Sequence, residues 1–170
     1  GQVLSVASEA VPLLKTGGLA AVVGALPSAL ASMGWQMRVL MPAYRPLQGH
    51  LAGMTQLWAE ADLFGGPGRV LGGEIAGLQV LLLDAPHLYD RDGGPYSGPG
   101  GDHPDNARRF AALSWAAAAI ARDGLSDGWR PDILHVHDWQ AGYAPAYLRF
   151  GAPCYVKTII TVHNIAFQGW

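Results

Sequence analysis

Cysteine is almost missing from this 170-residue chain. Cys154 is the only one, so no disulfide can form within it and no thiolate metal cluster can be built. We expect that thiol to be a small buried hydrophobe. Charge is sparse too: 14% of residues are charged, the formal net charge is −2, and there is no run of lysine or arginine. That removes the electrostatic footprint of a nucleic-acid binder and points away from nucleic acid as a partner. The opening GQVLSV has no basic segment followed by a long apolar stretch, so neither a secretion signal nor a membrane span is expected, and the protein reads as cytoplasmic with no membrane partner. G-x-S-x-G is also missing, which excludes a nucleophile-elbow hydrolase. What is left is a globular composition, half of it hydrophobic and long enough to bury a substantial core.

Five apolar, β-rich runs stand out: VLSVA at 3–7, MRVLMP at 37–42, LQVLLLDA at 78–85, DILHV at 132–136 and TIITVHN at 158–164. They are nearly continuous rather than alternating, as suits strands buried on both faces of a parallel sheet. Between them, Leu19, Val22, Val23, Leu26, Leu30 and Met33 form one stripe on a helix over 18–33, bent at Pro27. A second helix is predicted over 104–122, with Phe110, Leu113, Ala117 and Ile120 inward, Asp102 as its cap and Pro104 in its first turn. A third runs from Asp138 or Trp139 to Phe150. Alternating strands and helices predict an α/β fold, a Rossmann-like parallel sheet with helices on both faces. Residues 53–77 read as an antiparallel excursion. Residues 86–104, with five glycines and four prolines, read as irregular and either functional or mobile.

In such a sheet ligands collect at the carboxyl ends of the strands, where the polar residues of this sequence fall. After the first strand comes KTGG. Gly17 and Gly18 allow close backbone approach, the helix opening at Leu19 presents its amides, and Lys15 adds a mobile charge, a set suited to a diphosphate. The spacing matches neither G-x-G-x-x-G nor G-x-x-x-x-G-K-[ST], so an ordinary tight turn stays open. After the fourth strand comes HVHDWQAG. His135 and His137 point the same way but lack a third metal ligand; Asp138 is either a helix cap or a carboxylate for sugar hydroxyls. After the fifth come His163 and Asn164, structural or functional on the same rim.

The segments VLSVASEAVPLLKTGGLA, VVGALPSAL, DHPDNARRFAALSWAA, WRPDILHVHDWQAGYAPAYL and TVHNIAFQG closely resemble bacterial glycogen synthases and the related starch synthases, in order and spacing, from residue 2 to about 169. The resemblance implies the N-terminal half of a GT-B, twin-Rossmann glycosyltransferase. Such an enzyme moves glucose from ADP-glucose to the non-reducing end of an α-1,4-glucan with retention, using no metal and no cofactor. By motif matching, Lys15, Gly17 and Gly18 would lie at the donor, Asp138 and His163 would be catalytic, and Tyr96, Asn106 and Asn164 would bind substrate. The family continues well beyond 170 residues, so residues 1–170 are expected to be part of the N-terminal domain and inactive alone. The alternative is a non-catalytic carbohydrate- or nucleotide-binding Rossmann-like module. One departure stands out: the family pattern K-T-G-G-L-A-D ends here in Ala21.

Overall fold

The computed structural model describes residues 1–166. The chain runs β1 (Gln2–Val6), α1 (Gly18–Ala31), β2 (Gln36–Pro42), β3 (Thr55–Glu60), β4 (Gly68–Ile75), β5 (Leu78–Asp84), α2 (Pro86–Tyr89), the two-residue strands β6 (Ser97–Gly98) and β7 (Gly101–Asp102), α3 (Asn106–Asp123), β8 (Ile133–His137), α4 (Asp138–Ala141), α5 (Ala144–Phe150) and β9 (Lys157–Thr161). A 3₁₀ segment occupies Arg45–Gly53.

The five apolar runs are the five parallel strands, in the order β5-β2-β1-β8-β9. In the first four the central residues, among them Leu4, Val6, Leu40, Leu82, Leu134 and Val136, are fully buried, which is why those runs carry no polar alternation; the edge strand β9 departs from the expectation of two buried faces, with Ile159 and Ile160 exposed. The 53–77 excursion is also as expected: β3 and β4 pair antiparallel and extend the sheet beyond β5. Strand order reverses at β1, with β2 and β5 on one side and β8 and β9 on the other. That reversal opens a crevice at the carboxyl ends of β1 and β8.

Several expectations need correction. On α1 the buried face is Leu19, Ala20 and Val23, while Val22 and Met33 are 44% and 71% exposed. Each residue turns the helix by about 100°, which carries Val22 away from the face of Leu19, Ala20 and Val23, and Met33 lies beyond the last helical residue, Ala31. Gly24 lets the loop after β1 come close to that helix, since a Cβ there would stand 2.2 Å from the Val11 carbonyl oxygen. The α3 stripe is buried as expected, but its cap position is Asp105, not Asp102, which lies in β7, and Pro104 precedes the helix. Asp105 makes no capping bond; its carboxylate takes two hydrogen bonds from Arg91, each 2.5 Å, and that cation lowers its pKa. The third helix is two short pieces, α4 and α5, separated at Gly142–Tyr143. Residues 86–104 hold a helical turn and a small ribbon rather than wholly irregular chain. The fifth strand ends at Thr161, short of His163. Cys154 is only half-buried, with its Sγ 3.8 Å from the Ala121 carbonyl oxygen. Among the described residues no helix is long and apolar enough to cross a membrane.

Candidate functional site

The turn after β1 is organised by a residue the sequence reading passed over. Glu9 is 2% exposed, and its Oε2 accepts hydrogen bonds from the Thr16 backbone N–H at 2.6 Å and the Thr16 hydroxyl at 2.7 Å. Thr16 is thereby pinned, with Lys15 exposed before it and Gly17 and Gly18 exposed after it. Gly17 is the extended N-cap of α1 and supplies no side-chain cap, so the first amides of the helix keep their donors for something else. Neither glycine has a positive φ. A Cβ on Gly17 would meet only Glu9 Oε1, at 3.7 Å, and one on Gly18 would meet nothing within 4 Å. Gly24 is required by packing inside the chain; Gly17 and Gly18 are not.

After β8, Asp138 takes the left-handed conformation, φ 56°, which is uncommon for a residue with a side chain and concentrates at functional sites. It is not the helix cap, a position held by His137. Its Oδ1 instead accepts the backbone N–H of His163 at 2.6 Å, joining the ends of β8 and β9. Three imidazoles gather beneath that bond. His135 and His137 rings lie 4.2 Å apart and His137 and His163 rings 5.2 Å apart. His137 Nδ1 is 3.0 Å from His163 Nε2, His137 Nε2 is 3.2 Å from Ser5 Oγ, and His135 Nε2 is 2.7 Å from Thr161 Oγ1. Burial, reinforced by His135 and His163, pulls the pKa of His137 down to about 3. His135 is lowered as well, by burial and then by His163. Among the described residues no group of three or more His, Cys, Asp or Glu side chains is placed to hold a metal ion.

The loop between α2 and α3 joins the two turns. The Tyr96 hydroxyl is 2.6 Å from Ser8 Oγ, and both Glu9 and Asp138 act on it electrostatically; burial is the main reason its pKa is pushed up to about 12. Its ring packs 5.9 Å from Phe110, which stands 5.3 Å from Trp139, so loop, α3 and α4 share one aromatic column. Behind it, the Asn106 amide nitrogen donates to the Tyr96 carbonyl at 2.8 Å, and Arg109 donates to Asn106 Oδ1 at 2.7 Å. Arg109 is fully buried and also donates to the Leu88 and Pro95 carbonyls; burial lowers its pKa. Sequence reading missed it too, although a signal existed: Arg109 precedes Leu113, Ala116 and Ile120 on one helix face.

Of the residues singled out from sequence, Lys15, Gly17, Gly18, Tyr96, Asp138 and His163 lie in the segments that meet at the carboxyl rim. Asn106 is turned inward, both ends of its amide engaged. Asn164 is exposed and accepts the Ala166 backbone N–H at 2.9 Å. Gln168 and Gly169, the end of the last motif, lie outside the described residues. A concavity of about 510 Å³, lined by Trp35, Arg122, Arg130, Tyr155 and Lys157 among others, sits at the opposite rim, where β8 and β9 begin. None of the side chains named above for the carboxyl rim reaches it.

At the strand reversal, then, an uncapped helix N-terminus and a left-handed aspartate stand on one rim. The family profile described as the starch synthase catalytic domain matches residues 2–170. The chain belongs to the starch synthase catalytic domain family. Within it, the chain is 71% identical over its full length to a glycogen synthase of Cereibacter sphaeroides strain ATCC 17025, covering 36% of that protein. It is 57% identical over 99% of its length to the glycogen synthase of Paracoccus denitrificans, again 36% of the relative. Its fold matches the catalytic domain of starch synthase IV from Arabidopsis thaliana bound to ADP and acarbose, with a TM-score of 0.74 and 30% identity over 98% of this chain and 34% of that one. This starch synthase family chain therefore spans about a third of the length of the relatives it matches.

Proposed function

We propose that this chain is part of the N-terminal domain of a glycogen synthase, a retaining GT-B glucosyltransferase whose remaining N-terminal residues and C-terminal domain lie outside these 170 residues. The reaction would move glucose from ADP-glucose to the 4-hydroxyl at the non-reducing end of an α-1,4-glucan. The observation that carries the reading is the pair Gly17 and Gly18. The protein itself leaves room for a side chain at both positions, so a ligand brought against the backbone is the physical reason for glycine there. The α1 amides and Lys15 would receive the departing diphosphate. Asp138 and His163 would position the transferred glucose and the incoming hydroxyl, with Tyr96 closing the cleft beside them, a division of labour in which preorganised polar groups act on charge that develops during transfer. High identity to glycogen synthases supports the substrate class.

Glucose incorporation into glycogen from ADP-glucose, measured with the full-length parent and with residues 1–170 alone, tests this. Incorporation by the parent only is expected. Incorporation by the fragment would show that it is no partial domain, and binding without turnover in the parent would favour a non-catalytic carbohydrate- or nucleotide-binding module.

A further inference from the structure

The histidines below Asp138 form a directed chain. Ser5 is fully buried on β1, and among the described residues its hydroxyl has one partner, His137 Nε2 at 3.2 Å. His137 is fully buried as well and passes the contact on through Nδ1 to His163 Nε2 at 3.0 Å. His163 is half-buried, and no described residue bonds its Nδ1.

A neutral imidazole has one donor nitrogen and one acceptor nitrogen, and the depressed pKa of His137 keeps it neutral throughout the physiological range. Two polarities are then possible. If His137 donated through Nε2, Ser5 would accept, and its own hydroxyl hydrogen would be buried with no acceptor, a loss native interiors avoid. With Ser5 donating to Nε2, every buried hydrogen has a partner: His137 carries its proton on Nδ1 and donates to His163 Nε2. His163 Nε2 is thereby an acceptor, and the remaining proton of that ring sits on Nδ1.

We propose that Ser5, acting through His137, fixes the tautomer of His163, so that His163 presents an Nδ1–H donor to a ligand oxygen. Ser5 and His137 are positioning residues. His135 stands outside the relay, since its Nε2 bonds Thr161. The assignment of a sugar or phosphate oxygen as the ligand atom rests on the glucosyltransferase reading; the tautomer itself does not. A donor that cannot act as a base suits a group holding a sugar hydroxyl oxygen, and it assigns proton removal from the acceptor to some other atom.

Long-range ¹⁵N–¹H correlation spectra of the histidine-labelled chain at about pH 8, above the ordinary imidazole range, read both tautomers directly. Protonated Nδ1 and bare Nε2 in both His137 and His163 are expected. Protonated Nε2 in either ring, or averaged tautomers, would overturn the relay. In Ser5→Ala, His163 is expected to lose its single tautomer while backbone amide shifts across the rest of the sheet stay in place; a His163 still pinned to Nδ1–H would remove Ser5 from the mechanism. The wild-type spectrum decides the polarity even if Ser5→Ala does not fold. In the full-length parent, Ser5→Ala is expected to lower kcat about tenfold with little change in the ADP-glucose KM; unchanged kcat would show that the tautomer is not used. Expected tautomers in a parent without transfer activity would sink the function alone, and reversed tautomers in an active parent would sink the relay alone.

Discussion

The turn after β1 and the turn after β8 face one crevice and are held by opposite means. After β1 the groups proposed to meet the ligand are backbone amides and glycines, left exposed, and a single buried carboxylate, Glu9, holds the turn from behind. After β8 the groups proposed to meet the ligand are side chains, and the turn is held by a left-handed Asp138 bonded to the chain after β9, above a stack of three imidazoles of which His137 is buried and His135 and His163 are half-buried. Amides need space and a fixed direction, which glycine and one anchor supply. Side chains need rotamers and protonation states fixed, which takes a network of partners. The two halves should therefore fail differently.

Acid should break the β8 half first. A histidine with a depressed folded pKa is neutral in the native state, so its contribution to stability is complete above the unfolded value near 6.5 and is lost as pH falls toward the folded value. For His137 that window runs from about 6.5 down to about 3, and the full loss is on the order of 5 kcal/mol. His135 adds in the same direction. Asp105 and Asp127, whose pKa values are lowered, contribute only below about pH 5, where their unfolded forms begin to protonate. Denaturant unfolding at pH 7, 6 and 5 should show stability falling in wild type and falling less in His137→Phe. Parallel curves for the two would refute a neutral buried His137.

Glu9→Ala should break the β1 half. It leaves the Thr16 N–H and hydroxyl without their acceptor, a loss of about 1–3 kcal/mol, and frees Lys15, Gly17 and Gly18 from their anchor. In the full-length parent we expect the ADP-glucose KM to rise about tenfold or more, with the His163 tautomer unchanged. Glu9→Gln keeps an acceptor oxygen and should recover most of the loss. Equal effects of the two substitutions would mean that charge, and not the hydrogen bonds, holds the turn.

How much of this was legible in sequence follows the same divide. Continuous apolar runs gave the five parallel strands; in four of them burial on both faces leaves its mark on every residue, whereas β9 is apolar yet exposed among the described residues. The rim also followed, since the carboxyl ends of parallel strands are fixed once the strands are. Legibility ended where a side chain's partner is remote in sequence. Asp138 looks like a cap until His163, 25 positions later, is seen to supply the donor. Asp105 displaced Asp102 because the ribbon of β6 and β7 uses up the residues before α3. Asn106, a substrate ligand by the resemblance, has its amide bonded within the chain to Tyr96 and Arg109, partners 10 and 3 positions away. Arg109 escaped because a charge on an apolar stripe is expected at the surface, and its acceptors are carbonyls of a loop with no pattern of its own. The exposed Val22 shows the limit for helices: a stripe gives a face to within a rotation, and the close approach of the loop after β1 allowed by Gly24 helps set it.

A smaller effect sharpens the contrast between glycines. Gly18→Ala fills a space with no neighbour within 4 Å at the first position of α1, where alanine is the better helix former. It should leave the fold intact or stabilise it by up to about 1 kcal/mol. Donor affinity in the full-length parent should nonetheless fall about tenfold, the equivalent of about 1.4 kcal/mol. Loss of folding would give Gly18 an internal role that the geometry denies; unchanged donor affinity would remove the ligand from the explanation of the glycine pair.

The smallest expected effect concerns Ala21, exposed at the end of the first turn of α1. No acidic residue occupies that turn, so Ala21→Asp places a carboxylate near the positive end of the helix dipole and should stabilise the free protein by about 0.3–1 kcal/mol. The same charge would repel a diphosphate drawn to those amides, and a simple charge argument predicts weaker donor binding. A carboxylate that bonds a donor hydroxyl or orients the exposed Lys15 would act the other way. Since Lys15 has no carboxylate partner among the described residues while Glu9 is committed to Thr16, we expect the second effect to win and transfer by the full-length parent to rise a few-fold. Measured against ionic strength, the two separate cleanly. Repulsion from the diphosphate fades as salt screens it, whereas a hydrogen bond to a sugar hydroxyl persists. A gain in kcat/KM that survives salt would assign position 21 to the sugar, and a loss that salt relieves would assign it to the phosphates.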